Sequence, residues 1–237
     1  MIDKIYYINA DNAVVRREWM EGLLQSQSIV YERFPAVMAT RDHLNEDLVS
    51  RIATGQPDVQ LGTLGCWLSH YELVKIIMDK HRDENILILE DDVDLIPGWY
   101  DKLRAFNNQG KFGKNWDIIR SCWHSKRDST VEKINFCHKL SKHYSPQDVV
   151  DKKWKGGGTH FQILNGKTID NVYKLLSTEN IYAIDWTYTT TAINVFHTHL
   201  AVINKDIEHV EDFRPTRTKR CVQKLADQYI QNQQNRQ

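Results

Sequence analysis

Cysteine is scarce, with four among 237 residues: Cys66, Cys122, Cys137 and Cys221. None forms a Cys-x-x-Cys pair, and their spacing matches no zinc pattern. They read as reduced thiols of a cytosolic protein; a Cys122–Cys137 disulfide is compatible with the spacing but not demanded by it. Net charge is absent as well. The 31 basic and 31 acidic residues cancel, so no global field argues for nucleic acid or a membrane surface. No window approaches the roughly 18 consecutive apolar residues of a membrane-spanning helix. The first eight residues lack the basic start and long apolar stretch of a signal peptide, which points to the cytoplasm. There is no internal repeat, and no linker divides the chain. One domain is expected over residues 1–210, followed by a polar, basic tail over 211–237. What remains is ordinary for a globular protein: 41% apolar and 26% charged residues. Seven Trp and ten Tyr suit a core or a sugar-contacting surface.

The most telling stretch is Ile86-Leu87-Ile88-Leu89-Glu90-Asp91-Asp92-Val93-Asp94. A short, bounded apolar run suits a buried strand. Side chains alternate along a strand, so Glu90, Asp92 and Asp94 would share one face and Asp91 the other. Acids at the mouth of a core strand are costly unless something cationic neutralises them. A divalent metal does so economically, because hard cations take carboxylate oxygens. Ligands in open α/β sheets sit at the carboxyl ends of strands.

The flanking chain alternates strand and helix. Residues 4–9 predict a first strand, and Asp11-Asn12 a cap for a helix over 14–24 with Val15, Trp19 and Leu23 inward. Asn9 at the strand end and Arg16 and Arg17 in the first helical turns suit the anionic part of a nucleotide. A strand over 29–34 and a short helix over about 45–52 come next. Gly55, Pro57 and Gly62 mark a loop, and a helix follows over 64–78. Inside it Ser69 and His70 point about 100° apart and cannot pair as nucleophile and base; His70 reads as a packed, hydrogen-bonded histidine. Beyond the acidic strand a helix runs from Pro97-Gly98 to about Phe106, then a strand over 116–120. Residues 121–155 are the least legible, with one strand expected at 131–136; His124, His138 and His143 read as surface residues. Gly156-Gly157-Gly158 precedes a strand over 161–164, suggesting backbone brought close to a ligand. It is not a P-loop, since no Gly-Lys-Ser/Thr ends it. Asn165-Gly166 turns into a helix over 167–176 with Ile169, Val172, Leu175 and Leu176 inward. Asp185 then follows an apolar run, as Glu90 does. A helix over 186–195 is expected next, and His197 and His199 precede a last strand over 200–203. Arg214, Arg217, Lys219, Arg220 and Lys224 make the tail basic. It reads as solvated or as a contact for an anionic substrate.

Four pieces occur in order. They are Tyr7-Ile8-Asn9 with Arg16-Arg17; Phe34-Pro35-Ala36-Val37; Gly65-Cys66-x-x-Ser69-His70 ahead of Leu87-Ile88-Leu89-Glu90-Asp91-Asp92-Val93; and Gly158-Thr159 before a strand, then Asp185. In this order the chain resembles glycosyltransferase family 25, the lipooligosaccharide and collagen galactosyltransferase group, from about Ile5 to His209. The resemblance implies a GT-A type α/β fold, a Rossmann-like open sheet in a single domain. It implies a nucleotide-sugar donor, a UDP-sugar first, and Mn²⁺ or Mg²⁺. Glu90-Asp91-Asp92 matches the acidic motif that stands where other GT-A enzymes carry Asp-x-Asp. Asp92 is thereby the implied metal contact, and Asp94 makes a literal Asp-x-Asp with it. His209 falls where the fold often supplies a late metal ligand, with His197 and His199 as alternatives. Asn9, Arg16, Glu90, Asp91, Gly157 and Gly158 are the implied donor-binding residues. Asp185 matches the base of inverting enzymes. The implied reaction moves a hexose or pentose to a hydroxyl of a saccharide such as lipopolysaccharide, in a bacterial or virus-infected cell. One departure, Asn9-Ala10-Asp11-Asn12 in place of Asn-Leu-Asp-Arg, bears on donor preference.

Three rivals share the acidic strand. One is a transferase acting on a modified nucleic-acid base, with the basic tail as its support; a steep salt dependence would favour it. Another is a metal-dependent nucleotidyl or phosphoryl transferase. The third is a non-catalytic nucleotide-sugar-binding module, against which the acidic cluster and Asp185 argue.

Overall fold

Strands that are apolar on both faces must be covered on both faces, and that requirement organises this chain. The computed structural model describes residues 2–54, 61–121, 137–139, 158–181, 183–188, 192–204, 207 and 231. In chain order the strands are β1 (Lys4–Asn9), β2 (Glu32–Pro35), β3 (Asn85–Glu90), β4 (Val93–Leu95), β5 (Ile118–Ser121), β6 (Cys137–Lys139), β7 (Phe161–Asn165), β8 (Val195–Thr198) and β9 (Ala201–Ile203). Seven of them form one sheet in the order β2-β1-β3-β7-β5-β8-β6, and β4 pairs with β9 in a separate ribbon. β1 is parallel to β2 and β3, and β5 to β8, while β7 runs antiparallel between β3 and β5. The carboxyl ends of β1, β3, β5 and β8 therefore share one edge with the amino end of β7. This is the α/β open sheet expected of the GT-A type.

The helices are α1 (Val14–Ser26), α2 (Glu46–Thr54), α3 (Leu61–Lys80), α4 (Trp99–Asn108), α5 (Ile169–Thr178) and the single turn α6 (Ile184–Thr187). Strand alternation divides the core between them. Tyr6, Ile8, Ile86, Ile88, Ile118, Leu164 and Val195 face α2, α3, α5 and α6. Tyr7, Leu87, Leu89, Ile119, Ile163 and Phe196 face α1 and α4. Each fully buried Leu, Ile or Phe is worth about 1.5–3 kcal/mol, so both layers resist a register slip that would exchange their faces. α3 is the main cover of the first layer, burying Leu64, Trp67, Leu68, Leu73, Val74 and Ile77.

Several expectations need correction. α1 buries Met20 and Leu24 and leaves Val15 exposed; Trp19 and Leu23 are half-buried and pack against the core as expected. Its cap is Ala13, without a side-chain bond. Asp11 pairs instead with Arg33 of β2. β2 begins at Glu32, later than predicted. Gly62 lies inside α3. Of the helix expected over 186–195, the described residues hold the α6 turn, which opens two residues earlier; His197 lies within β8, a strand not expected, and both His197 and His199 precede the last strand, β9, as expected. The strand expected at 131–136 lies outside the described residues. β1, β3, α5 and its four inward residues match expectation.

Candidate active site

Parity along the strands decides which layer each polar residue enters. Glu90 has the parity of Ile86 and Ile88, so it points towards α3. There its Oε1 accepts a hydrogen bond from Thr159 Oγ1 and lies 3.2 Å from His70 Nε2 and 3.9 Å from Cys66 Sγ. Asp91 has the parity of Leu87 and Leu89, so it points towards α1. Its Oδ2 accepts from Asn9 Nδ2 at 2.7 Å, and its Oδ1 lies 3.1 Å from Arg16 NH1. Asn9 shares the parity of Tyr7 and also reaches the Ala13 carbonyl at 3.0 Å, tying strand end to helix start. Adjacent acids are thus parted by the sheet, each with its own cation or donor.

The motif Gly65-Cys66-x-x-Ser69-His70 now has a physical reading. Residues i and i+4 share a helix face. Gly65 and Ser69 form one such pair. A Cβ on Gly65 would stand 2.5 Å from the Val37 carbonyl, so only glycine lets α3 approach that segment. Ser69 Oγ donates to the Gly65 carbonyl at 2.7 Å and accepts from the Val37 N–H at 2.8 Å. It is a fastener, not a nucleophile. Cys66 and His70 form the other pair, turned to Glu90. His70 is packed and hydrogen-bonded as expected, between Glu90 and Gln162, whose Nε2 lies 2.5 Å from Nδ1.

β3 stops at Glu90, the chain turns over residues 91 and 92, and β4 resumes at Val93. The Asp92 carbonyl accepts from the Asn204 N–H at 2.8 Å, and Asp94 pairs with Val202. The ribbon thereby clamps the acidic corner. Asp92 and Asp94 are both half-buried. Burial first, and then the fields of Glu90, Asp185 and Asp92, raise the Cys66 thiol pKa.

Asp185 arrives from the far side. It opens α6, where its Oδ1 accepts from the Trp186 N–H at 3.1 Å and its Oδ2 from the Gly158 N–H at 3.3 Å. Gly158 has φ +85°, a conformation that favours glycine. Arg120 of β5 is fully buried and bonds the Asp185 carbonyl through NH1 at 3.1 Å. Its Nε faces His197 Nδ1 at 3.4 Å. His199 is buried just beyond β8.

The charges follow from these surroundings. Burial raises the Asp185 carboxyl above its ordinary value, and the Arg120 charge and the Gly158 N–H oppose the rise. Burial also raises Asp91, against the pull of Arg16 and Asn9. At Glu90 burial pushes upward too, but the bond and field of His70, the bond from Thr159 and the field of His160 leave it below the ordinary range. Burial, reinforced by the three carboxylates, pushes the Cys66 thiol well up.

The geometry gathers Asn9, Arg16, Glu90, Asp91, Asp92, Gly158 and Asp185 at one sheet edge. Gly157, His209 and Cys122 lie outside the described residues, as does the basic segment from Arg214 to Lys224. The structure adds Cys66, His70, Arg120, Thr159 and Gln162. The first two were legible from their i, i+4 spacing, but their partner required the strand parity of Glu90. For a hard divalent cation the suitable donors are Asp92 and Asp94: carboxylate oxygens, two residues apart, at the corner the ribbon holds.

The family model described as Glycosyltransferase family 25 (LPS biosynthesis protein) matches residues 2–188. A Drosophila melanogaster protein named Glycosyltransferase 25 family member is 32% identical over 127 residues, covering 50% of this chain and 20% of that protein. The chain thus spans about a fifth of the length of that curated relative. Among solved structures, the galactosyltransferase LgtC in complex with donor and acceptor sugar analogs aligns with TM-score 0.36 and 11% identity, over 82% of this chain and 72% of that one. A glycosyltransferase involved in glycosylation of the major capsid of PBCV-1 aligns with TM-score 0.35 and 10% identity, over 73% and 65%. Among the described residues no helix is long and apolar enough to cross a membrane.

Proposed function

We infer the function first from kinship: the chain belongs to glycosyltransferase family 25. We propose that it moves a sugar from a nucleotide diphosphate donor, a UDP-sugar first, to a hydroxyl of a saccharide acceptor, with inversion at the anomeric carbon. The family's description as LPS biosynthesis proteins supports lipopolysaccharide as the acceptor class. The observation that carries the reading is the approach of Asp185 to the acidic corner: its Oδ2 accepts from the Gly158 N–H while the next residue, Thr159, donates to Glu90.

In this reading Asp185 takes the proton from the acceptor hydroxyl as that oxygen attacks. Its carboxylate is aimed by the Gly158 and Trp186 N–H groups, and its backbone is anchored by Arg120. The Gly158 backbone leaves room for the donor sugar. Asn9 and Arg16 hold Asp91 and shape the donor side of the pocket. A Mn²⁺ or Mg²⁺ ion held by Asp92 and Asp94 would neutralise charge on the leaving diphosphate. An inverting transfer needs one base and no protein nucleophile, which agrees with Ser69 being engaged by backbone.

The test is nucleotide diphosphate release from a panel of nucleotide sugars, with Mn²⁺, with Mg²⁺ and with chelator. Release from one donor with a divalent ion, abolished by chelator and in Asp92→Asn, is expected. Asp185→Asn should lower turnover by about 10²–10⁴-fold while calorimetric donor binding persists. Near wild-type turnover in Asp185→Asn would remove it as the base.

A further inference from the structure

The contacts of Glu90 make a second cation site, of different chemistry from the carboxylate pair at Asp92 and Asp94. We propose that Cys66, His70 and Glu90 bind a thiophilic divalent ion of the Zn²⁺ class. The proposal does not depend on glycosyl transfer. It rests on the juxtaposition of three ligand atoms from two elements.

Cys66 and His70 stand one turn apart on α3, and Glu90 closes the triangle from β3. One ligand atom from each lies within 4.8 Å of the other two. His70 Nε2 to Glu90 Oε1 is 3.2 Å, and Cys66 Sγ to Glu90 Oε1 is 3.9 Å. Zinc arms of about 2.0–2.3 Å to oxygen, nitrogen and sulfur set tetrahedral edges of roughly 3.3–3.6 Å. The two edges that meet at Glu90 are within a few tenths of an ångström of those values, and the Cys66–His70 edge is no longer than 4.8 Å. Three protein ligands leave a fourth position open, and Glu90, with 25% of its side chain exposed, gives the site a route to solvent.

The surrounding side chains fit the same ion. A metal-bound histidine donates its other ring N–H to an acceptor that fixes its tautomer. Gln162 stands at His70 Nδ1, and its Oε1 is buried with no partner among the described residues. Exchanging its amide N and O, an assignment made from the hydrogen-bond network, lets Oε1 accept from Nδ1–H. The Nε2 lone pair then faces the Glu90 carboxylate, an arrangement that calls for a cation between them. Thr159 steadies the carboxylate as an outer partner. The ion enters as the Cys66 thiol gives up its proton to solvent, since the thiolate is the ligand.

Co²⁺ added to the chelator-treated full chain is the direct probe. A thiolate ligand is expected to give a near-ultraviolet sulfur-to-cobalt charge-transfer band, saturating stoichiometrically, displaced by Zn²⁺ and not by Mg²⁺. The band should vanish in Cys66→Ser, persist in Asp92→Asn, and persist when Cys122, Cys137 and Cys221 are all changed to Ser. Gln162→Leu should weaken the affinity about 10–100-fold. Zn²⁺ should also raise Tm, by mass action, in the wild type and Asp92→Asn but not in Cys66→Ser. This keeps the test valid where a variant binds too weakly for the spectrum. No band in the wild type, a band that survives Cys66→Ser, or one lost with the other three cysteines would each overturn the proposal.

Discussion

Arg16→Ala removes a guanidinium from a carboxylate that has little water to replace it. The side chains of Arg16 and Asp91 are 20% and 9% exposed, and their closest atoms are 3.1 Å apart. Breaking a buried pair by removing one partner costs about 3–5 kcal/mol. Here the Asn9 bond to Asp91 survives and Arg16 is partly solvated, so about 2–3 kcal/mol is expected near neutral pH. For a chain of this size that lowers Tm by roughly 4–12 °C. The cost must depend on pH. Burial raises the Asp91 carboxyl above its ordinary value, and Arg16 opposes that rise. Between the ordinary value and the raised one the native state binds more protons than the unfolded chain, so this group's contribution to stability falls as pH rises through that window. Without Arg16 the native value moves higher still, and the window widens at its upper end. Wild type and variant should therefore converge at low pH, where Asp91 is protonated in both, and diverge as pH rises. Urea unfolding followed by circular dichroism, from about pH 3 to 8, measures the difference. Asp91→Asn in the Arg16→Ala background should flatten it. A cost that is the same at every pH would refute the reasoning and leave Arg16 acting through the packing of its stem.

Gly166→Ala should cost at least about 1–3 kcal/mol in urea unfolding. A Cβ there meets the carbonyl oxygens of Glu84, His81 and Arg82, all backbone and none free to swing away. Gly22→Ala is the opposite case: the position is open space on α1, so helix propensity should stabilise by about 0.5–1 kcal/mol. As a general base Asp185 must be ionised, and burial raises its pKa. The acid limb of kcat/KM should therefore lie above the ordinary carboxylate value of about 4, with activity present above the limb and lost below it. Arg120→Met removes the main opposing charge and should carry that limb to higher pH; an unmoved limb would detach Arg120 from Asp185.

What the sequence made legible was what alternation alone controls. The run before Glu90 had to be a strand covered on both faces, and the opposed directions of Glu90 and Asp91 followed from parity. The inward set of α5 followed from its period. What escaped depended on partners distant in sequence. Which positions of α1 are fully covered was not legible, since Val15 and Met20 satisfy helical spacing about equally well, yet Val15 is exposed and Met20 buried. His70 was legible as packed, but not as the partner of Glu90, because 20 residues separate them and only the parallel pairing of β1 and β3 sets α3 over that strand end. Arg120 gave no signal. A lone arginine ending an apolar strand looks like a solvated terminus until the α6 turn, 65 residues on, brings the Asp185 backbone carbonyl to it.

The four acids of the corner have separate fates, and that separation bears on chemistry. Glu90 is held by Thr159 and His70 under α3, and Asp91 by Asn9 and Arg16 under α1. Asp92 and Asp94 follow the turn, half-buried, where the β4–β9 ribbon fixes their backbone. Exchanging the acids is therefore not equivalent. Asp92→Asn should abolish divalent-dependent turnover with little loss of stability, whereas Asp91→Asn should leave metal dependence intact and act through the strand-to-helix junction. Equal effects of both on the metal concentration giving half-maximal turnover would mean that the corner binds its ion as one undivided cluster.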